Sequence, residues 1–162
     1  MKKYQIELKW ATTFVGMTLI WMIGEKLGGF HSEKIAQHEF VTNFIAIPAI
    51  IVYVFALLDK KKNFYKGTMN YLQGLTSGII ISVIIAAISP LTQYITSVII
   101  SPEYFPNVIK YVVENGKSTQ AEAESYFNLR NYLQYGVIGA LVIGIITSAI
   151  VAIFVKSKNK SH

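Results

Sequence analysis

Charged positions along the chain are separated by four long stretches that lack them: Lys9 to Glu25, Glu39 to Asp59, Lys66 to Glu103 and Arg130 to Lys156. A hydrocarbon core of about 30 Å is crossed by about 20 helical residues at 1.5 Å each. The pattern therefore predicts an all-α integral membrane bundle of four transmembrane helices, over about 10–28, 40–58, 71–90 continuing to 100, and 132–155. The whole chain, 1–162, reads as one membrane domain, with short extracytoplasmic amphipathic helices in 101–131.

Each stretch carries its own signal. The first is short, so Lys9 snorkels on its long stem beside an interfacial Trp10, and Glu25 and Lys26 fall near the opposite surface. In the second, Pro48 removes a backbone donor that lipid cannot replace and predicts a kink. The third is too long for one straight crossing and predicts a tilt or bend at Ser89-Pro90 near the outer edge. Ser101-Pro102-Glu103 reads as a helix start, with serine as N-cap, proline next and an acid in the first turn. A helix wheel centred on Phe105 gathers Tyr104, Val108, Ile109, Tyr111 and Val112 on one side and Glu103, Asn107, Lys110 and Glu114 on the other, a surface-lying helix. Gly116 ends it, and Thr119-x-x-Glu122 is a capping box for a second helix running through Tyr126, Phe127 and Tyr132 into the last span.

Composition changes this picture little, but charge orients it. Charged residues make up 15% of the chain against 52% hydrophobic, with a net charge of +6 and no cysteine. Soluble domains carry roughly 25% charge. The missing Cys excludes disulfides, thiol nucleophiles and thiolate metal sites. Ten lysines flank the termini and the 59–66 loop, against Glu7 and Asp59, while five cations face seven acids in the other loops. By the positive-inside rule both termini are cytoplasmic, N-in and C-in. The basic face suits anionic lipid and gives no reason to invoke nucleic acid. No small-x-small pattern follows Ile23, so the first stretch reads as a span and not a cleaved signal.

Small residues recur every fourth position as Gly74, Gly78, Ser82 and Ala86 in the third span and as Gly136, Ala140, Gly144, Ser148 and Ala152 in the fourth. Gly16, Gly24 and Gly28 repeat the pattern loosely in the first. Between helices in lipid, close backbone approach along such ridges supplies much of the packing. The two ridges therefore predict packing on each other, with a homo-oligomeric contact as the alternative.

Chemistry is sparse. Glu25 is a candidate coupling carboxylate, weakened by its edge position, which favours a solvated or paired acid. Gln93, Tyr94 and Asn43, with Ser89, Thr92 and Tyr53, are candidates either for a polar cavity in the outer half or for interhelical hydrogen bonds, the second being favoured. His31 and His38, beside Glu33 and Glu39, match no compact metal motif and read as solvated loop residues. No nucleophile paired with a base, HExxH run, phosphate loop or dinucleotide fingerprint is present, so no catalytic residue, metal or cofactor is assigned.

The signposts Lys60-Lys61-Lys62, Gln73-Gly74, Ser77-Gly78, Ser89-Pro90, Gln93-Tyr94 and Ser101-Pro102 between Leu58 and Tyr111, with Ala121-Glu122-Ala123 and Thr147-Ser148-Ala149 between Asn115 and Val155, carry a resemblance. On these the chain resembles an uncharacterised bacterial membrane-protein family known as a domain of unknown function. The resemblance covers nearly the whole chain and implies a bacterial inner-membrane address; it brings no established activity, ligand or catalytic residue to carry over. The sequence thus favours a non-enzymatic accessory or interaction protein of the inner membrane, in contact with the lipid bilayer and with a membrane-protein partner or further copies of itself. The alternative is a small oligomeric solute or ion transporter using Glu25 and the polar cluster near Gln93.

Overall fold

The computed structural model describes residues 4–157, so Lys2, Lys3, Lys158 and Lys160 of the charge count lie outside the described residues. These residues form α1 (Gln5–Leu27), α2 (Ile35–Thr42), a 3-10 turn (Asn43–Ile45), α3 (Ala46–Asn63), α4 (Tyr71–Tyr94) and a π-helical turn (Ile95–Ile100). They are followed by α5 (Tyr104–Glu114), α6 (Gln120–Tyr126) and α7 (Leu129–Val155). Four helical runs are long and apolar enough to cross a membrane: Gln5–Leu27, Ile35–Phe64, Tyr71–Ile100 and Leu129–Val155. Their outward faces carry large apolar side chains such as Ile20, Phe40, Ile143 and Phe154, all more than half exposed, which suits a lipid surround.

The most extensive helix contact is α4 on α7, and the two small-residue ridges make it. A Cβ placed on Gly78 would stand 2.5 Å from Ser148 Cβ, and one on Gly144 would meet Ser82 Cβ and the Tyr53 hydroxyl at 2.8 Å. Gly74 lies against Ala152 at 3.3 Å, and Gly136 sits more loosely against Ser89 at 3.6 Å. Ala140 packs on the core formed by Tyr53, Leu57, Ile81, Ile85 and Val151, among others. Among the described residues Gly16 and Gly24 have no close neighbour within 4 Å, whereas Gly28 lies against the Phe30 ring of the turn that follows α1.

Helix ends depart from the sequence reading in ways that matter for the site. The first span is not confined between its charges: α1 starts at Gln5 and takes Glu7 and Glu25 into the buried part of the bundle. The break before Pro48 falls at the 3-10 turn Asn43–Ile45, and the helix runs through Pro90 and widens only beyond it, at Ile95–Ile100. Ser101 does not cap α5, which begins at Tyr104 after Glu103. The Thr119–Glu122 capping box forms, but α6 stops at Tyr126 and α7 starts afresh from Asn128, whose side chain accepts from the Asn131 N–H.

The first helix start and the last helix end lie together. There Lys9 Nζ and Trp10 Nε1 both reach Asp59 Oδ2, at 2.8 and 2.7 Å, and Lys61 Nζ donates to the Val155 carbonyl at 2.9 Å. At this same end Glu7 is buried with Lys60 at 2.8 Å and accepts from Ser77 Oγ at 2.8 Å. The opposite end, where α2, the π-helical turn and α5 meet, holds the second polar group.

Candidate functional site

Glu25 occupies the last full turn of α1, where the negative end of the helix dipole disfavours a carboxylate. It is nonetheless buried, and its partners explain how. Trp21 Nε1 donates to Oε1 at 2.6 Å, while His31 Nε2 and His38 Nε2 stand 3.1 and 3.4 Å from Oε2. His31 is itself buried and His38 half-buried, so the reading of both as solvated loop residues is corrected, and of the two alternatives for Glu25, solvated or paired, the structure shows the paired one.

A helix stop brings His31 back beneath Glu25. Gly29 adopts φ 79°, the Phe30 N–H bonds to the Glu25 carbonyl and the Gly29 N–H to the Lys26 carbonyl. This is the Schellman pattern, in which the residue after the C-cap takes the left-handed conformation that glycine tolerates best. The chain then reverses through 29–34, and α2 presents His38 from the other side. Asn107 Nδ2 of α5 donates to the His31 carbonyl at 2.9 Å and fixes the turn.

The third span contributes through its π-helical turn. The Ser101 N–H bonds to the Thr96 carbonyl, and Ser101 Oγ lies 2.6 Å from His31 Nδ1. Such wide turns re-aim side chains and recur at functional sites. Lys26 Nζ donates to the Ile100 carbonyl and sits 3.6 Å from Glu103 Oε1, strapping α1 to the end of this span. Tyr104 covers the group: its ring centre is 5.4 Å from that of His31 and 5.0 Å from that of His38. Its hydroxyl lies 3.5 Å from His38 Nδ1 and 3.4 Å from the Tyr132 hydroxyl. Burial pushes the Tyr104 phenol up, so it stays a protonated donor at ordinary pH.

Beside this group is a cavity of about 300 Å³, lined by both histidines with Thr42, Gln93, Ser97 and Tyr104, among others. A second, more apolar hollow of about 480 Å³ lies on the far side of Glu25, against Trp21, Phe30, Val41 and Pro48. Of the polar residues read from the sequence, Gln93 reaches the cavity and donates to Ser97 Oγ at 3.0 Å. Asn43 is exposed and donates to the Glu39 carbonyl, and Tyr94 is 47% exposed on the outside, so neither joins the site. Ser89 and Thr92 bond to carbonyls of their own helix, whereas Tyr53 makes an interhelical bond with Ser82 at 2.8 Å.

Ser101, His31 and Glu25 form a hydrogen-bonded line that the sequence did not reveal, since 70 residues separate the first two. It has the order of a nucleophile, base and acid, but the surroundings do not suit acyl transfer. That chemistry needs backbone N–H groups at and after the nucleophile for the developing oxyanion. Here the Ser101 N–H is engaged by Thr96, and the next residue, Pro102, has none. What the arrangement can do is hold a cation or a hydrogen-bonding ligand. Among the described residues, Glu25, His31 and His38 offer ligand atoms that lie within 4.8 Å of one another.

The sequence carried two partial signals for this site, the Gly28-Gly29 stop and the carboxylate just before it. It lacked the tertiary closure that joins Ser101 and Tyr104 to them. No curated protein and no solved structure matches the chain. A family model described as "Protein of unknown function (DUF4199)" matches residues 9–157. With that match reaching into all four apolar helical runs and covering Glu25, His31 and His38, the chain belongs to the DUF4199 family.

Proposed function

We propose that the protein is a non-enzymatic multi-pass protein of a bacterial inner membrane, with both termini cytoplasmic. Its working part in this reading is the chamber beside Glu25, His31 and His38, open to the extracytoplasmic side, where a small ligand is bound and not converted. The observation that carries the reading is the convergence of three titratable groups, from α1, the 28–34 turn and α2, on one buried point beside a cavity of about 300 Å³. Burying such groups is costly unless they are paired or engage a ligand. The lysine asymmetry supports the orientation, and the unsuitable surroundings of Ser101 support binding over catalysis. The 101–131 segment serves in this reading as part of the wall of the chamber, through Ser101 and Tyr104, with Tyr132 just beyond it.

The chain has no cysteine, so single cysteines report without background. A small membrane-impermeant thiol reagent applied to intact spheroplasts should label Thr42→Cys or Thr96→Cys in the chamber wall and leave Lys62→Cys at the opposite end unlabelled. Labelling of Lys62→Cys alone would reverse the orientation, and labelling of neither chamber position would close the chamber.

A further inference from the structure

We infer that Glu25, His31 and His38 form a site for one divalent transition-metal ion of the zinc class, with its fourth position turned toward the chamber; the inference rests on the binding reading above. Two imidazoles and one carboxylate are a donor set that suits zinc and its neighbours and not magnesium or calcium, which take oxygen ligands. Donors bound to zinc at 2.0–2.1 Å in a tetrahedral arrangement stand about 3.3 Å apart. His31 Nε2 and His38 Nε2 lie 3.1 and 3.4 Å from the same Glu25 oxygen, and all three ligand atoms fit within 4.8 Å. The two ring nitrogens, within 4.8 Å of each other, would close toward the tetrahedral spacing around an ion.

The outer contacts are those that a metal ligand requires. A ligating histidine donates its other ring N–H to a fixed acceptor, which sets its tautomer and orientation. Ser101 Oγ is in place for His31 Nδ1 at 2.6 Å, and the Tyr104 hydroxyl lies 3.5 Å from His38 Nδ1. The carboxylate is divided in the same way: Trp21 holds Oε1, leaving Oε2 to face both rings. Ion binding takes each histidine as the Nδ1–H tautomer, with Nε2 free for the ion. The bound dication then offsets the buried carboxylate charge.

The test uses the full chain purified in detergent, stripped with chelator and titrated with Co²⁺ while the visible d–d bands are followed, then with Zn²⁺ in competition. The expected result is one saturable equivalent of Co²⁺ with tetrahedral-type bands, displaced by Zn²⁺. His31→Ala and His38→Ala should each lower affinity at least hundredfold (roughly two powers of ten for a lost ligand), and Ser101→Ala about 10–100-fold. Glu39→Gln, an exposed neighbour, should change nothing. Absence of a saturable equivalent in the wild-type protein would overturn the inference without recourse to any variant. So would unchanged affinity in both histidine variants, which would mark an adventitious surface site. Chamber cysteines that label normally in a protein that binds no metal would remove the metal and leave the binding chamber standing.

Discussion

Glu7 and Glu25 lie on the same face of α1, because 18 residues make about five helical turns. Each is buried, yet they are satisfied differently. Glu25 meets two histidines and a tryptophan, whereas Glu7 meets Lys60 and Ser77, with Lys60 Nζ also 3.7 Å from the centre of the Phe64 ring. Among the described residues Glu7 Oε2 makes no hydrogen bond, so the pair depends on the lysine. Removing one partner of a buried ion pair leaves an uncompensated charge and costs about 3–5 kcal/mol. Lys60→Met should therefore lower thermal stability in detergent by that order, and adding Glu7→Gln should restore most of it; equal losses in the single and double variants would contradict the pairing. Gly29 is the second sensitive residue. Its φ of 79° makes Gly29→Ala cost about 1–2 kcal/mol, and the same substitution should weaken every property that depends on His31 sitting beneath Glu25.

At the scale of elements, α4 and α7 approach as closely as they do because the groove residues lack side chains. Gly78→Leu would drive a branched chain into Ser148, and overpacking of this kind costs typically 1–3 kcal/mol and often more where backbones touch. The expected outcome is loss of the monodisperse species on size exclusion, while Gly16→Leu, which faces open space, leaves it intact. The capping box of α6 gives a pH prediction. The Thr119 N–H and hydroxyl hold the Glu122 carboxyl below its ordinary range. A group whose folded value is depressed contributes stability above its unfolded value and loses it as pH falls through the folded one. Amide-exchange protection in α6, taken relative to the intrinsic rate at each pH, should thus fall at acid pH below about 4, and Glu122→Gln, which keeps the capping box, should remove that dependence.

For the whole molecule, the two polar groups sit at opposite ends of an apolar middle filled by Ala11, Leu57, Ile81, Ile85 and Val151. The small-residue ridges of α4 and α7 are occupied by each other, so a second copy would have to dock elsewhere. The four long apolar helices, the two ridges and the Thr119–Glu122 box were legible from local pattern, because apolar run length and four-residue periods are local properties of a sequence. The break at Asn128 was not read, although asparagine is a favoured N-cap and does cap α7 through the Asn131 N–H. Nor was the widened turn at Ile95–Ile100, whose effect is to aim Ser101 at a histidine 70 residues away. Hydrophobicity reads His31, His38 and Glu25 as polar and assigns them to water, but burial depends on what folds over a residue. The sequence by itself determined where the chain is apolar and which helices can touch. Only the tertiary structure decided that a glycine stop, a short α2 and the end of the third span close over one carboxylate, because those contacts join segments that no local period relates.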